Sequence, residues 1–185
     1  FTASTATVRS APIATTNPVV SGTRENGNVL TASEGSWIAF PTELSTTYQW
    51  FRCTTSVATA VSSQPSQCSV ISGATSSTYT QTPADAGTFV TVRTVKANTQ
   101  GSATVFSVAT SVTNQLPTVV SDPTVTGTAS FGSNISIDRG QWQGFPSPSF
   151  SYQWFACENP ALEAGDLLPS GCNEVGGTLG DMVSV

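Results

Sequence analysis

Short runs in which apolar and polar residues alternate recur along the whole chain. The segment Tyr48-Gln49-Trp50-Phe51-Arg52-Cys53 shows this period of two, which is typical of a strand. Thr and Val recur in short runs elsewhere, and their β-branched side chains fit a pleated, half-buried surface. No stretch keeps a helical period, and Gly or Pro interrupts the chain roughly every ten residues. The pattern predicts an all-β fold.

The same pattern of residues occurs twice, at an offset of 105 positions that becomes 104 further along the chain. Matching Trp, Cys, Gly and Pro at one offset indicates a true repeat, and the period fits a β-sandwich domain of about 100 residues. The matches are Val20-Ser21-Gly22-Thr23 with Val125-Thr126-Gly127-Thr128, Gly35-Ser36-Trp37 with Gly140-Gln141-Trp142, Phe40-Pro41 with Phe145-Pro146, Tyr48-Gln49-Trp50-Phe51-Arg52-Cys53 with Tyr152-Gln153-Trp154-Phe155-Ala156-Cys157, and Cys68 with Cys172.

The repeat predicts three segments. Residues 1–12 are expected to be the last strand of a preceding module, or a donor strand, because Thr5-Ala6-Thr7-Val8 is similar to Ser102-Ala103-Thr104-Val105. Residues 13–116 form a complete module. Residues 117–185 form a second module that lacks its C-terminal strands, since no match to Ser77-Thr78-Tyr79-Thr80 is found after Cys172. Prolines near both boundaries predict short, stiff links.

Several short motifs carry a resemblance to a known family. Gly35-x-Trp37, Tyr48-Gln49-Trp50-x-Arg52-Cys53, Ile71-x-Gly73-Ala74-Thr75 and Asp85-x-Gly87 resemble bacterial Ig-like repeats, which occur in tandem in secreted and surface proteins, notably of actinobacteria. The resemblance covers residues 17–112 and the front of the second repeat, which departs from it at Ala156. It implies tandem immunoglobulin-like β-sandwich modules that serve as stalks, adhesins or envelope components.

The resemblance also suggests which side chains form the cores. It implies that Trp50 is the buried indole of the module, and strand parity places Tyr48 on the same face. Tyr152 and Trp154 are the equivalent core residues of the second module. Phe51 and Phe155 fall on the opposite, outer face. We expect them to form a contact surface for a glycan or a neighbouring protein, because outward apolar residues in both copies require a reason.

The tryptophans that follow the repeated glycines have two interpretations. Trp37 and Trp142 are expected to cover one end of each sandwich, or to belong to the same exposed contact surface. The expected disulfide pairing of the first module depends on the position of Trp50. If that indole is buried, Cys53 lies on the outer face or at the strand end and pairs with Cys68.

Cys157 and Cys172 are separated by the same number of residues as Cys53 and Cys68. This favours one disulfide within each module over the other two ways of joining four cysteines. A four-thiolate zinc site is the alternative, but structural zinc ligands usually come in close pairs. Persisting disulfides require an oxidising compartment, so we expect an extracellular or cell-surface protein.

Composition excludes several classes of function. Histidine is absent, so no Ser-His or Cys-His nucleophile pair exists. The acids Glu25, Glu34 and Glu43 have no counterparts in the second repeat, and Asp85 alone does not make a calcium site. Six scattered cations are too few for a nucleic-acid face, and no apolar run is long enough to cross a membrane. We expect no enzyme, metal or cofactor.

Three non-enzymatic functions agree with these features. The first is a stalk or spacer of a bacterial surface protein. The second is a subunit of an extracellular filament or sheath, assembled by β-strand donation between neighbours. The third is a glycan-binding or phage-displayed module. The expected partners are copies of the protein or neighbouring repeats, and a surface glycan or protein.

Overall fold

The computed structural model describes residues 8–109, 111–128, 130–158, 171–175 and 182–184. Residues 182–184 are described by their backbone alone. Throughout these residues the protein is all-β, which confirms the predicted class, and the helical structure among them is a short 3-10 turn at Pro83–Asp85. The chain divides into two units, Phe1–Gln115 and Leu116–Val185. Within the described ranges no helix is long and apolar enough to cross a membrane.

Three antiparallel sheets make up the described part of the first unit. The strands are β1 (Ser10–Thr16), β2 (Val20–Ser21), β3 (Val29–Ala32), β4 (Ser36–Phe40), β5 (Ser45–Cys53), β6 (Cys68–Val70), β7 (Thr78–Thr80), β8 (Phe89–Asn98) and β9 (Gly101–Phe106). Strand β1 pairs with β4, the second sheet has the order β2–β3–β7, and the third has the order β6–β5–β8–β9. The longest pairing joins β5 to β8, from Ser45 opposite Ala97 to Cys53 opposite Phe89.

Both faces of the four-stranded sheet are buried. Trp50 packs on one face, in a cluster with Leu30 of β3 and two valines of β8. Phe51 packs on the other face with Phe106 at the end of β9 and with residues that follow the disulfide-bonded strand. Adjacent residues of a strand point to opposite faces, so β5 contributes to two separate cores.

The second unit repeats the pairing of the first as far as it is described. Its strands form the sheets β10–β13, β11–β12–β16 and β14–β15, in the places of β1–β4, β2–β3–β7 and β5–β6. They are β10 (Gln115–Ser121), β11 (Thr124–Gly127), β12 (Asn134–Asp138), β13 (Gln141–Phe145), β14 (Phe155–Cys157), β15 (Cys172–Glu174) and β16 (Met182–Ser184).

One strand of the second unit was missed in the sequence comparison. Val183 of β16 pairs with Ile135 of β12, as Tyr79 of β7 pairs with Leu30 of β3. A strand equivalent to β7 is therefore present, although its residues share no side-chain type with Thr78-Tyr79-Thr80. Backbone pairing is shared here where the side chains are not. That the module lacks further C-terminal strands stays a prediction.

The predicted boundary between residues 12 and 13 falls inside β1. This strand pairs with β4, and the Asn98 side chain donates a hydrogen bond of 2.9 Å to the carbonyl of Ser10. Residues 10–12 thus bond within the first unit. Residues 1–7 lie outside the described part of the chain, and the assignment of residues 1–12 to a preceding module or donor strand stays a prediction.

Candidate functional site

The Tyr-Gln-Trp segment of β5 is the centre of the first unit. Trp50 is fully buried, and its indole N–H donates a hydrogen bond of 2.8 Å to the carbonyl of Ser76. The Gln49 amide donates to the carbonyl of Ile71 at 2.7 Å, which ties the loop between β6 and β7 to this strand. Tyr48 packs at the margin of the same cluster. The core placement expected for Trp50 agrees with the structure, and Tyr48 is half-buried.

A disulfide joins Cys53 to Cys68 and another joins Cys157 to Cys172, each across 15 residues. The pairing is the one favoured by the sequence. Cys53 and Cys68 are also directly opposite each other in the antiparallel ladder of β5 and β6. Both are buried in the Phe51 cluster, so the bond is shielded from solvent. In the structure the four sulfurs are paired in disulfides, the alternative to the four-thiolate zinc site.

The expectation that Phe51 is an outward contact residue is wrong. Its side chain is only 2% exposed, and its ring lies 5.1 Å from that of Phe106. Residues 54–67 fold back over this face, where Val57 donates a backbone hydrogen bond of 2.9 Å to Ala109. Strand parity correctly gave the face of the sheet, but the disulfide-closed loop covers that face. Phe155, its counterpart, is 40% exposed.

Trp37 and Trp142 occupy equivalent places in β4 and β13. Each is half-buried, and each indole N–H donates to a backbone carbonyl three residues earlier, at 2.8 Å to Glu34 and 2.9 Å to Arg139. The preceding Gly35 has a φ of +71°, and a Cβ there would collide with the carbonyl of Thr16. The Gly-x-Trp motif therefore fixes the entry into this strand. A contact role for the two indoles stays a prediction.

A buried carboxylate lies under the Trp50 face. Asp85 is fully buried and accepts hydrogen bonds from Arg52 at 2.7 Å, from the Tyr79 hydroxyl at 2.6 Å and from the Thr82 amide at 2.7 Å. Burial, followed by the bond to Asp85, raises the pKa of Tyr79. These donors saturate the carboxylate, so it has no capacity left for a cation. In the described residues no cluster of acids, cysteines and histidines forms a metal site.

A second charged cluster lies at the far end of β8, and no local sequence pattern predicts it. Lys96 is buried, and its ammonium lies 2.5 Å from the Glu34 carboxylate and 2.5 Å from the Thr46 hydroxyl. The hydrogen bond from Lys96 is the main cause that lowers the pKa of Glu34. Burial and the Glu34 charge raise the pKa of Tyr48, whose hydroxyl donates to Glu34 at 3.2 Å. Both charged clusters of the first unit are therefore neutralised internally.

The described residues of the second unit leave a groove beside the Tyr-Gln-Trp segment. The groove has a volume of about 270 Å³ and is lined by Val125, Ile137 and residues 151–155. Trp154 lies in it with 9% of its surface exposed, Tyr152 is half-buried, and Val125 is 61% exposed. The backbone carbonyl of Trp154 accepts a hydrogen bond of 2.9 Å from the Val175 amide, and within the described residues β14 pairs with β15.

The residues around this groove differ from the first unit in a coordinated way. Ala156 stands in the place of Arg52, and Val183, which pairs with Ile135, stands in the place of Tyr79, so two of the three residues whose side chains bind the Asp85 carboxylate differ in the second unit. The Gln153 amide still donates to the carbonyl of Val175 at 3.3 Å, as Gln49 does to Ile71. The backbone scaffold is thus retained while the polar partners have changed.

Comparison of the chain with protein-family models, with curated proteins and with solved structures finds no match. The function therefore has to be argued from the geometry of the two units.

Proposed function

We propose that the protein is a non-enzymatic extracellular structural repeat, with Ig-like modules in series acting as a stalk or spacer of a bacterial surface protein. The observation that carries the proposal is the recurrence of one disulfide-closed strand pair, β5–β6 and β14–β15, in both units. A disulfide that closes a short loop restricts the unfolded chain and suits an oxidising compartment. The two ion pairs found among the described residues, Arg52–Asp85 and Lys96–Glu34, each join distant parts of the first unit and so support a structural role.

The junction between the units supports the same proposal. Asn114 exchanges backbone hydrogen bonds of 2.8 and 2.9 Å with Asn26 and Arg24 in the first unit. The next residue, Gln115, begins β10, which pairs within the second unit. The last bonded residue of the first unit and the first strand of the second are therefore adjacent in sequence, as expected of modules joined in series.

Force spectroscopy on the full chain between two handles tests the mechanical part. We expect a resolved unfolding peak for the first unit. Reduction should lengthen its contour gain by about 50 Å, because 15 further residues are released at about 3.6 Å each. The variant Cys53→Ala/Cys68→Ala is the matched control and should show the longer gain without reductant. Unfolding without a resolved peak would contradict a spacer role.

Antibody labelling of cells that make the protein tests the location. Intact cells, or material shed from them, should be labelled without permeabilisation. Labelling seen only after lysis would refute the extracellular assignment.

A filament built by strand donation is the second candidate, because within the described residues β14 pairs with β15 alone. It is less well supported, since the proposed donor segment resembles β9, which pairs with β8 and not with β5. The glycan-binding candidate loses Phe51, which is buried, and retains Phe155.

A further inference from the structure

A cavity of about 330 Å³ lies beside β2 in the first unit. The chain leaves the edge of β8 after Ser107, and Ala109 exchanges backbone hydrogen bonds of 2.9 Å with Val57 instead. The cavity lies between this detour and β2, with Val108 and Ser111 on the side of the detour. The described residues that line it are Val19, Val20, Gly22, Arg24, Val108 and Ser111.

Arg24 gives this cavity its charge. The guanidinium donates a hydrogen bond of 3.0 Å to the carbonyl of Val90. The ion pairs among the described residues are formed by Arg52 and Lys96, so no described carboxylate neutralises Arg24. Burial lowers the pKa of Arg24, because a cation is less well solvated away from water. The cavity therefore presents a half-buried positive charge that has N–H donors left for an anion.

The outer edge of β2 offers backbone groups to the same cavity. Ala32 lies opposite Val20 in the ladder and donates its own amide to Ser77, on the side away from β2. Val19 bonds on the inner side, where its carbonyl accepts a hydrogen bond of 2.8 Å from the Ser33 amide. Because the peptide groups of successive residues alternate in direction, the N–H and C=O of Val20 point outward. An extended chain placed in the cavity can pair with them.

The cavity is closed at its Arg24 end. The Asn114 amide donates to the Arg24 carbonyl at 2.9 Å, and the Asn26 amide donates to the Asn114 carbonyl at 2.8 Å, so this stretch already has a strand partner. A chain that lies along β2 in the parallel direction must end there, and the group at its end is a carboxylate. The walls are apolar, since Val19 is 58% and Val108 39% exposed.

The second repeat does not carry these side chains. At the offset of 105, Ala129 stands in the place of Arg24 and Thr124 in the place of Val19. The Gly-x-Trp motif and the disulfide recur without them. The repeated fold therefore does not itself require an arginine or a valine at these positions.

We propose that this cavity binds the carboxyl terminus of an extended polypeptide, with the terminal carboxylate on Arg24 and the last aliphatic side chain between Val19 and Val108. The backbone of the bound chain pairs with Val20 and runs parallel to β2. The proposal rests on the geometry of the first unit alone, so it is independent of the spacer role.

Fluorescence anisotropy with labelled peptides and the full chain tests this proposal. The probes are two tetrapeptides of sequence Gly-Ser-Val-Val, labelled at the amino end, one with a free carboxyl group and one with a carboxamide. The chain has a net charge of −5, so bulk electrostatics favours the amide. We expect the opposite order, with the free acid binding at least about ten-fold more tightly, because the amide loses the charge-assisted bonds to Arg24.

Two chain variants form a matched pair. Arg24→Ala copies the second repeat and should abolish the preference for the acid. Arg9→Ala also removes a cation, one that is exposed and does not line the cavity, and should leave the preference unchanged. Arg24→Ala deprives the Val90 carbonyl of its donor, so a further arm uses the native chain.

In this arm only the peptide changes. Replacing the last valine of the acid peptide by serine should weaken binding at least about five-fold, because a buried aliphatic side chain is lost. Hydrogen exchange followed by NMR should show that the unmodified acid peptide protects the Val20 amide and no amide of the second unit.

Four results would overturn the proposal. Equal binding of acid and amide, or a preference that a folded Arg24→Ala chain retains, would show that Arg24 does not bind a carboxylate. A carboxamide peptide ending in aspartate that binds as tightly as the acid would assign the site to an acidic side chain. Displacement of the acid peptide by an equal concentration of isovalerate would assign it to a small free carboxylate. Absence of binding by either peptide up to about 1 mM would leave the cavity without a polypeptide ligand.

Discussion

Replacing Phe51 by alanine measures how much the covered face of β5 contributes to stability. Phe51 is 2% exposed and contacts Phe106, Val57 and Ala109 in one cluster. Burying about 150 Å² of a phenylalanine at about 25 cal/mol/Å² contributes roughly 4 kcal/mol, and measured losses for such truncations are about 3–5 kcal/mol. Phe155→Ala is the matched control at the equivalent position. Because Phe155 is 40% exposed, we expect a loss of about 1–2 kcal/mol there.

Hydrogen exchange read by mass spectrometry along a denaturant series separates the two units. Peptides from β5 and β8 report the first unit, and peptides from β12 and β14 report the second. Phe51→Ala should lower the free energy of unfolding of the first unit alone, and Phe155→Ala that of the second alone. Similar losses for both variants, or a loss below about 1 kcal/mol for Phe51→Ala, would refute the conclusion that the outer face is a core.

Further predictions concern the disulfide and the two charged clusters. Cys53→Ala/Cys68→Ala should destabilise the first unit by about 3 kcal/mol in chemical denaturation, because the closed loop spans 15 residues; an unchanged midpoint would contradict this. Arg52→Ala, which copies the second repeat, should cost about 3–5 kcal/mol by leaving the Asp85 carboxylate buried without its cation, and addition of Asp85→Asn should recover part of that loss. Tyr79→Phe should cost about 1.5–3 kcal/mol at neutral pH, since a hydrogen bond to a buried charge is lost. Because the folded pKa of Tyr79 is raised, the stability contributed by its protonated form is complete below pH 10.0 and falls as the pH rises through the folded value. A thermal-melting series over alkaline pH should show that this loss is smaller in the variant. Glu34→Gln should cost about 1–3 kcal/mol, because the Lys96 side chain, 7% exposed, loses its anionic partner, although Glu34 itself is 55% exposed. The folded pKa of Glu34 lies below the ordinary 4.5, so its contribution is present above that pH and is lost as the pH falls through the folded value. The melting curves of the two proteins should therefore converge in acid.

The repeat and the alternation of side chains predicted a large part of the fold. Matching Trp, Cys and Gly positions identified two equivalent units, and strand parity placed Trp50 and Phe51 on opposite faces. Parity does not say what covers a face. Residues 54–67 carry Val57 and Val61 without a strand pattern, so their packing over Phe51 depends on the tertiary fold.

The charged clusters and the groove depended on contacts between distant parts of the chain. Glu34 and Lys96 are 62 residues apart, and no local pattern joins them. The substitution of Arg139 for Glu34 is visible in the repeat alignment. Its meaning appears only when Lys96 is seen to bind Glu34. Likewise, the replacement of Arg52 by Ala156 becomes informative once Asp85 and Tyr79 are known to share one hydrogen-bonded cluster.

The double core of β5 has a consequence for synthesis from the N-terminus. Trp50 and Phe51 pack against side chains of β8 and β9, and β8 begins about forty residues further along the chain. At about 5–20 residues per second, the new strand remains without that partner for several seconds after translation. Cys68 emerges well within this interval, so β6 and the disulfide are available first. A nascent first unit therefore passes through a β5–β6 hairpin in which Trp50 and Phe51 still lack their contacts with β8 and β9, a stage at which exposed apolar surface favours aggregation.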